Sequence, residues 1–190
     1  MKTVIGIGGK KRAGKSTLAG YIAEMAALRR FITEEVSFAQ PIKEMMQVVF
    51  KHEVPWSTFI ADDRKQFPVE IAPGEYMTVR QILQLVGTDC FRNIIHPDFW
   101  VARGIAKIKT SPADIVLVPD VRFGNELQAL KQLGTTVFVE KTSELEPELD
   151  LHPSEMELDK IRNGFDVELV APEGNFSVMK EFAATFVQSL

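Results

Sequence analysis

The sequence predicts an α/β fold, a mostly parallel sheet of about five strands sandwiched by helices. Two observations predict it. Short apolar runs of strand length recur along the chain, and segments with apolar residues at helical spacing stand between them. The first run also ends in glycines that lead straight into a helical pattern. In such folds ligands bind at the carboxyl ends of the strands, and chemistry is sought there.

Val4-Ile5-Gly6-Ile7 reads as a buried strand. Leu18, Ile22 and Met25, with Ala19, Ala23 and Ala26 beside them, give an amphipathic helix from Lys15 to Arg29. Val36-Ser37-Phe38 reads as a second strand. Pro41 suits the first turn of a helix whose apolar face holds Ile42, Met45, Met46 and Val49. Between residues 52 and 76, Pro55, Pro68, Pro73 and Gly74 break the pattern, which predicts an irregular, mobile segment covering substrate. Val79, Ile82, Leu83 and Val86 return to helical spacing, and Phe99–Ile108 is another helix. Ile115–Val118, closed by Pro119, has the composition of a central parallel strand. Leu127, Leu130 and Leu133 mark the next helix, with Gly134 as its stop. Val137–Val139 is a strand, the acidic stretch Glu144–Asp159 a loop, and Val167–Val170 the last strand. Val178, Phe182 and Phe186 step by four and give a C-terminal helix packed on the sheet.

The length of 190 residues leaves room for one domain, 1–190, with a helical insert at about residues 40–110. Hydrophobic residues make up 45% and charged residues 25%, which excludes wholesale disorder. A net charge of −4 argues against stable nucleic-acid binding, while leaving room for a small basic pocket. One cysteine, Cys90, excludes an internal disulfide and a multi-cysteine zinc site, and reads as a small core residue. No apolar run approaches the ~18 residues that would span a membrane. These features predict a soluble, cytoplasmic protein.

Gly9-Lys10-Lys11-Arg12-Ala13-Gly14-Lys15-Ser16 fits the phosphate-loop pattern G-x-x-x-x-G-K-[ST], between a predicted strand and a predicted helix. Glycines let the backbone curl so that successive N–H groups face phosphate oxygens, and the helix N-terminus adds partial positive charge. The ATP-binding set is therefore Gly9, Lys10, Lys11, Arg12, Ala13, Gly14, Lys15, Ser16 and Thr17. Lys15 reaches the β- and γ-phosphates, and the Ser16 hydroxyl ligates Mg²⁺. Arg12 is placed to stabilise transferred charge. Asp120, past the end of the Ile115–Val118 strand, is the expected second carboxylate for Mg²⁺, directly or through bound water. Arg122, two residues on, sets a guanidinium beside that carboxylate. The competing reading makes Asp120 a helix cap and pairs Arg122 with Glu126. His152, Ser154 and Glu155 are too close in sequence for a hydrolytic triad, and His152 and Glu155 have supporting roles at most.

Further segments, Ala39-Gln40-Pro41-Ile42-Lys43, Arg64-Lys65, Val79–Asp89, Phe99-Trp100-Val101, Val118–Phe123 with Asn125-Glu126, Gly134–Val137 and His152–Glu155, bring in a resemblance that runs almost end to end. The chain resembles the bacteriophage deoxynucleoside monophosphate kinases, a branch of the phosphate-loop kinases. The phosphate loop alone is common to the superfamily; Arg80–Asp89 together with Pro119–Arg122 is far more specific. The resemblance implies transfer of the ATP γ-phosphoryl group to a deoxynucleoside monophosphate, with Mg²⁺ as cofactor. It implies that Lys43, Arg64 and Arg80 hold the acceptor, with Gly87, Thr88 and Trp100 around its sugar and base, and that Arg122 bridges toward the acceptor phosphate. It is compatible with a homodimer, and with host cytoplasm if the chain is phage-encoded. The stretch between Phe50 and Val79 is shorter than in the longer phage enzymes. Two alternatives stand beside this reading: a kinase for another small phosphorylated metabolite or coenzyme precursor, and an ATP-dependent binding switch.

Overall fold

In the computed structural model of the chain, residues 2–61, 64–142, 153–172 and 174–190 are described. In chain order the elements are β1 (Thr3–Gly8), α1 (Lys15–Leu28), β2 (Thr33–Glu35), α2 (Gln40–Val49), α3 (Trp56–Ile60), β3 (Pro68–Ala72), β4 (Glu75–Thr78), α4 (Val79–Gln84), a π-helix (Leu85–Ile95), α5 (Phe99–Thr110), β5 (Ile115–Val121), α6 (Gly124–Lys131), β6 (Thr135–Thr142), α7 (Pro153–Ile161), a 3₁₀ turn (Arg162–Gly164), β7 (Val167–Pro172) and α8 (Ser177–Gln188). They form two compact units, one of residues 1–37 and 103–190, the other Phe38–Ala102.

The first unit carries a five-stranded sheet in the order β2-β5-β1-β6-β7, and every neighbouring pair is parallel. Alternation along β1 explains the sandwich. Ile5 and Ile7 face a core shared with Leu18 and Ile22 of α1 and Met179, Ala183 and Val187 of α8. Gly6, between them, faces α6 so closely that a Cβ would stand 2.8 Å from Leu130 Cδ1. The predicted fold class is thus observed.

Several boundaries differ from the sequence reading. The second strand is Thr33–Glu35 rather than residues 36–38. The Val36 N–H still bonds the Leu117 carbonyl, so pairing stops where the chain leaves the sheet. Strand β5 continues through Pro119. It does so with a bulge, since β1 advances from Gly6 to Gly8 while its partner advances from Val118 to Val121; an irregular ladder tolerates a residue with no N–H to donate. Helix α6 ends at Lys131, before Leu133. In α8 the buried stripe is Met179, Ala183 and Val187, while Val178, Phe182 and Phe186 flank it, half-buried. Of the predicted acidic loop Glu144–Asp159, residues 144–152, His152 among them, lie outside the described residues, and Pro153–Ile161 is helical.

The second unit has its own small core of Met46, Val54, Phe59, Val69, Val79 and Ile82. The stretch expected to be irregular contains α3 and the antiparallel β3–β4 hairpin. The proline and glycine punctuation that suggested an irregular segment instead sets the hairpin, with Pro68 opening β3 and Gly74 turning it at φ 79°. Thr78 begins α4 with a capping box, its Oγ1 accepting the Gln81 N–H while the Gln81 side chain accepts the Thr78 N–H. Val49, expected on the apolar face of α2, is exposed. Cys90, expected in the core, is also exposed. Among the described residues no helix is long and apolar enough to cross a membrane.

Candidate active site

The phosphate loop joins the carboxyl end of β1 to α1. Its backbone takes conformations that L-residues avoid: Gly9 has φ 147° and Gly14 φ 97°. A Cβ on Gly9 would stand 2.4 Å from the Val139 carbonyl oxygen. Arg12 adopts the left-handed region at φ 61°, a conformation that costs a non-glycine residue about 1 kcal/mol or more and recurs at ligand-binding loops. The Ala13 N–H bonds the Lys10 carbonyl at 3.1 Å and Ala13 is buried, which pins the middle of the curl. Lys15 Nζ donates to the carbonyls of Gly9 at 2.6 Å and Lys10 at 2.7 Å. The ammonium therefore sits over the loop it is meant to serve. Ser16 is exposed at the start of α1. Lys10 pairs with Asp159 of α7 at 2.8 Å across an exposed surface, a contact worth at most about 1 kcal/mol.

Register brings the second carboxylate alongside. Gly8 is opposite Val121, so Asp120 lies one residue from the partner of the loop's first flank. Ser37 Oγ donates to Asp120 Oδ2 at 2.6 Å. Asp120 is therefore part of β5 and does not cap α6. That capping role belongs to Glu126, whose buried carboxylate accepts the backbone N–H groups of Arg122 at 2.8 Å and Phe123 at 3.1 Å. The peptide that carries Arg122 is thus fixed from below by a carboxylate. Sequence reasoning missed Ser37 as Asp120's partner, and saw Glu126 only as a possible side-chain partner of Arg122. A Glu in the first turn of a helix is the signal for its backbone role; Ser37 carries no comparable signal.

Of the acceptor candidates, Lys43, Arg64, Arg80, Gly87, Thr88 and Trp100 belong to the second unit, and Arg122 to the first. The Arg80 N–H bonds the Lys65 carbonyl at 2.8 Å, tying the start of α4 to the Arg64-Lys65 segment. Arg64 is exposed and its Nη1 donates to Ser57 Oγ at 3.2 Å. Arg80 Nε is buried with no hydrogen-bond partner among the described residues. Gly87 touches α2, where a Cβ would meet Ile42 Cδ1 at 2.7 Å, and Ile42 precedes the half-buried Lys43. Trp100 is 2% exposed. Its Nε1 donates to the Gly87 carbonyl at 2.9 Å, and its ring packs 4.8 Å from both Phe91 and Phe99. Trp100, expected around the sugar and base, is thus enclosed by protein, and what it touches on that side is the Gly87 peptide.

The donor set around the loop, the Ser16 hydroxyl and the Asp120 carboxylate, consists of hard oxygen ligands and fits Mg²⁺. Among the described residues no cluster of three or more His, Cys, Asp or Glu side chains forms a site of its own for a metal.

The deoxynucleotide monophosphate kinase family matches residues 62–177. A protein of Acanthamoeba polyphaga mimivirus named for deoxynucleotide monophosphate kinase activity is 30% identical over 200 residues, covering 97% of this chain and 94% of its own. The chain belongs to the deoxynucleotide monophosphate kinase family. A deoxynucleoside-5′-monophosphate kinase of Escherichia phage T5 is 33% identical over 57 residues, 30% of this chain and 23% of that one. Shikimate kinase from Bacteroides thetaiotaomicron superposes with a TM-score of 0.51 at 12% identity, covering 98% of this chain and 97% of that one; at that identity the likeness shows the fold alone. The family match spans Arg64, Arg80, Gly87, Thr88, Trp100, Asp120 and Arg122, whereas the phosphate loop lies outside it.

Proposed function

We propose that this protein transfers the γ-phosphoryl group of ATP to a deoxynucleoside monophosphate, giving the deoxynucleoside diphosphate and ADP. The observation that carries the reading is the phosphate loop with Asp120 one strand away, in a chain of the deoxynucleotide monophosphate kinase family.

The acceptor is a phosphate oxygen. A phosphate monoester has its second pKa near about 6 and is largely dianionic at neutral pH, so the nucleophile needs no general base. Its oxygen attacks the γ-phosphorus in line, a new P–O bond forms, and the bond to the β-phosphate oxygen breaks, leaving ADP. Catalysis rests on positioning and charge neutralisation. Lys15 exchanges its two loop carbonyls for β- and γ-phosphate oxygens. Arg12 and Arg122 stabilise the equatorial oxygens of the transferred group. Mg²⁺, held through Ser16 and Asp120, supplies further neutralisation when bound. On the acceptor side, Arg80, Arg64 and Lys43 grip the monophosphate, and Gly87 and Thr88, shaped by Trp100, line the nucleoside.

The decisive experiment measures ADP release with Mg-ATP against a panel of deoxynucleoside and ribonucleoside monophosphates and small phosphorylated metabolites. Release that depends on a deoxynucleoside monophosphate is expected. Slow release indifferent to every acceptor would make the protein an ATP-dependent switch instead.

A further inference from the structure

Outside the residues already assigned, one side chain lies directly against the entry to the phosphate loop. It is Phe165, which follows the 3₁₀ turn after α7. A Cβ built on Gly8 would stand 2.3 Å from Phe165 Cζ and 2.7 Å from Cε1. The ring therefore lies on the Gly8 backbone itself, at the last residue of β1. On the next residue, a Cβ of Gly9 would stand 2.4 Å from the Val139 carbonyl. The loop thus departs from the sheet between an aromatic ring and strand β6.

The ring is held from several directions. It packs edge-on against Phe138 of β6, centroids 5.3 Å apart at 63°. The guanidinium of Arg162 covers Phe138 at 5.3 Å from its centroid. Arg162 in turn bridges Glu140 of β6 and Glu168 of β7; these two carboxylates, Glu168 first, also raise its pKa. On either side of the ring the backbone is anchored. Lys131 Nζ donates to the Gly164 carbonyl at 2.6 Å, and the Asp166 N–H bonds the Thr136 carbonyl at 3.1 Å. Planar guanidinium fixed on two carboxylates and stacked on a ring is a rigid arrangement that an ammonium does not reproduce.

We propose that Phe165, packed against the Phe138 ring that Arg162 covers from its own side, is a positioning residue for ATP: it forms the wall that fixes Gly8 and sets the angle at which the phosphate loop leaves β1. The inference rests on the reading of Gly9–Ser16 as the ATP site. Loop amides misaimed by a fraction of an ångström lose aligned hydrogen bonds to the phosphates, so the effect falls on the donor nucleotide and spares the acceptor.

The test is a double-mutant cycle. Phe165→Ala, Phe165→Leu, Gly8→Ala and the Gly8→Ala/Phe165→Ala pair are compared by titration with a nonhydrolysable Mg-ATP analogue and by steady-state KM for ATP and for the acceptor. Thermal unfolding of each variant is followed in parallel. Phe165→Ala is expected to weaken analogue binding and raise the ATP KM about tenfold with the acceptor KM unchanged, and Phe165→Leu to recover most of the loss. Gly8→Ala alone, whose methyl meets the ring, is expected to be at least as harmful. In the Phe165→Ala background the same methyl has room, and its further cost is expected to fall below about twofold. Additive losses, an unchanged ATP KM in Phe165→Ala, or equal rises in both KM values that track lost thermal stability would overturn the proposal. Lys15→Ala separates the two readings. If it abolishes analogue binding while Gly8 and Phe165 do not couple, the positioning role alone fails. If Lys15→Ala binds as the unaltered protein does, the ATP site itself is misassigned.

Discussion

Arg80 presents a buried Nε that no group among the described residues satisfies. Leaving a buried donor unpaired costs about 1–3 kcal/mol, and a phosphate dianion is the partner whose geometry matches a guanidinium fork. Replacing Arg80 by Ala is therefore expected to raise the acceptor KM by about tenfold or more and the ATP KM much less; steady-state kinetics with each substrate varied in turn checks this, and the opposite pattern would move Arg80 to the donor side. Ser37 offers a second single-residue test. Its hydroxyl donates to Asp120 at 2.6 Å, so Ser37→Ala removes the bond that orients the carboxylate. The Mg²⁺ concentration for half-maximal activity is expected to rise several-fold, on the scale of about tenfold for an outer partner of a metal ligand, and the acceptor KM to stay put; an unchanged metal titration would separate Asp120 from the metal. At this scale the sequence was a good guide to the curled conformation of residues 9–14 between β1 and α1, because the glycines act through backbone geometry that one short segment encodes. It was a poor guide to Trp100 and Ser37. Whether a tryptophan face is open or enclosed depends on Phe91 and Phe99 closing over it in three dimensions, and Ser37 meets Asp120 across 83 positions of chain.

At the scale of elements, Asp166 ties β6 to the turn before β7. Partial burial pushes its carboxyl up, but hydrogen bonds from Lys131 and from the Thr136 hydroxyl and N–H outweigh that and leave its pKa below the ordinary value. A carboxylate with a lowered folded-state pKa stabilises the fold above its unfolded pKa, near about 3.9. That contribution is lost as pH falls through the folded value. Asp166→Asn is thus expected to lower the unfolding midpoint at neutral pH, with the difference from the unaltered protein shrinking as the pH drops below about 4. A difference independent of pH would mean that the charge is not what Asp166 contributes. Element boundaries were legible where periodicity was long, as in α1, and blurred where local and tertiary preferences disagree. The helical spacing of Val79, Ile82, Leu83 and Val86 runs into residues 85–95, where the chain is wound as a π-helix, a choice that apolar spacing does not record. The β3–β4 hairpin was hidden because prolines and glycines punctuate both loops and hairpins, and only the pairing of Val69 with Met77 tells which.

At the scale of the molecule, the division into two units makes a prediction for ligand binding. The donor candidates Gly9–Ser16 and Asp120 belong to one unit, together with Arg122, which is expected to bridge toward the acceptor phosphate, and the acceptor candidates Lys43, Arg64 and Arg80 belong to the other. In hydrogen exchange, a nonhydrolysable Mg-ATP analogue alone is expected to protect amides around residues 8–18, and a deoxynucleoside monophosphate alone those around residues 64–89. At about a hundredfold excess over Kd each ligand adds roughly 2.7 kcal/mol to the state that binds it, enough to be read as a slowed exchange rate. Protection of residues 64–89 by the donor alone would reassign the acceptor side. The α/β class was legible at this scale because alternation of strand and helix patterns constrains topology strongly. The strand order was not, since nothing local says that β5 inserts between β1 and β2.

The irregularity at Pro119 has a consequence for parity. Side chains in a strand alternate between the two faces, so one surplus residue inverts the assignment of everything that follows it. Because β5 spends three steps where β1 spends two, Val121 takes the seat opposite Gly8 and is sealed in the interior, while Asp120 stays within reach of the Ser37 hydroxyl. Shortening this strand by a single position would exchange the two, sending a carboxylate toward the oily side and a valine toward Ser37. An imino acid that forms no rung of the ladder thereby decides which way the metal-binding candidate looks.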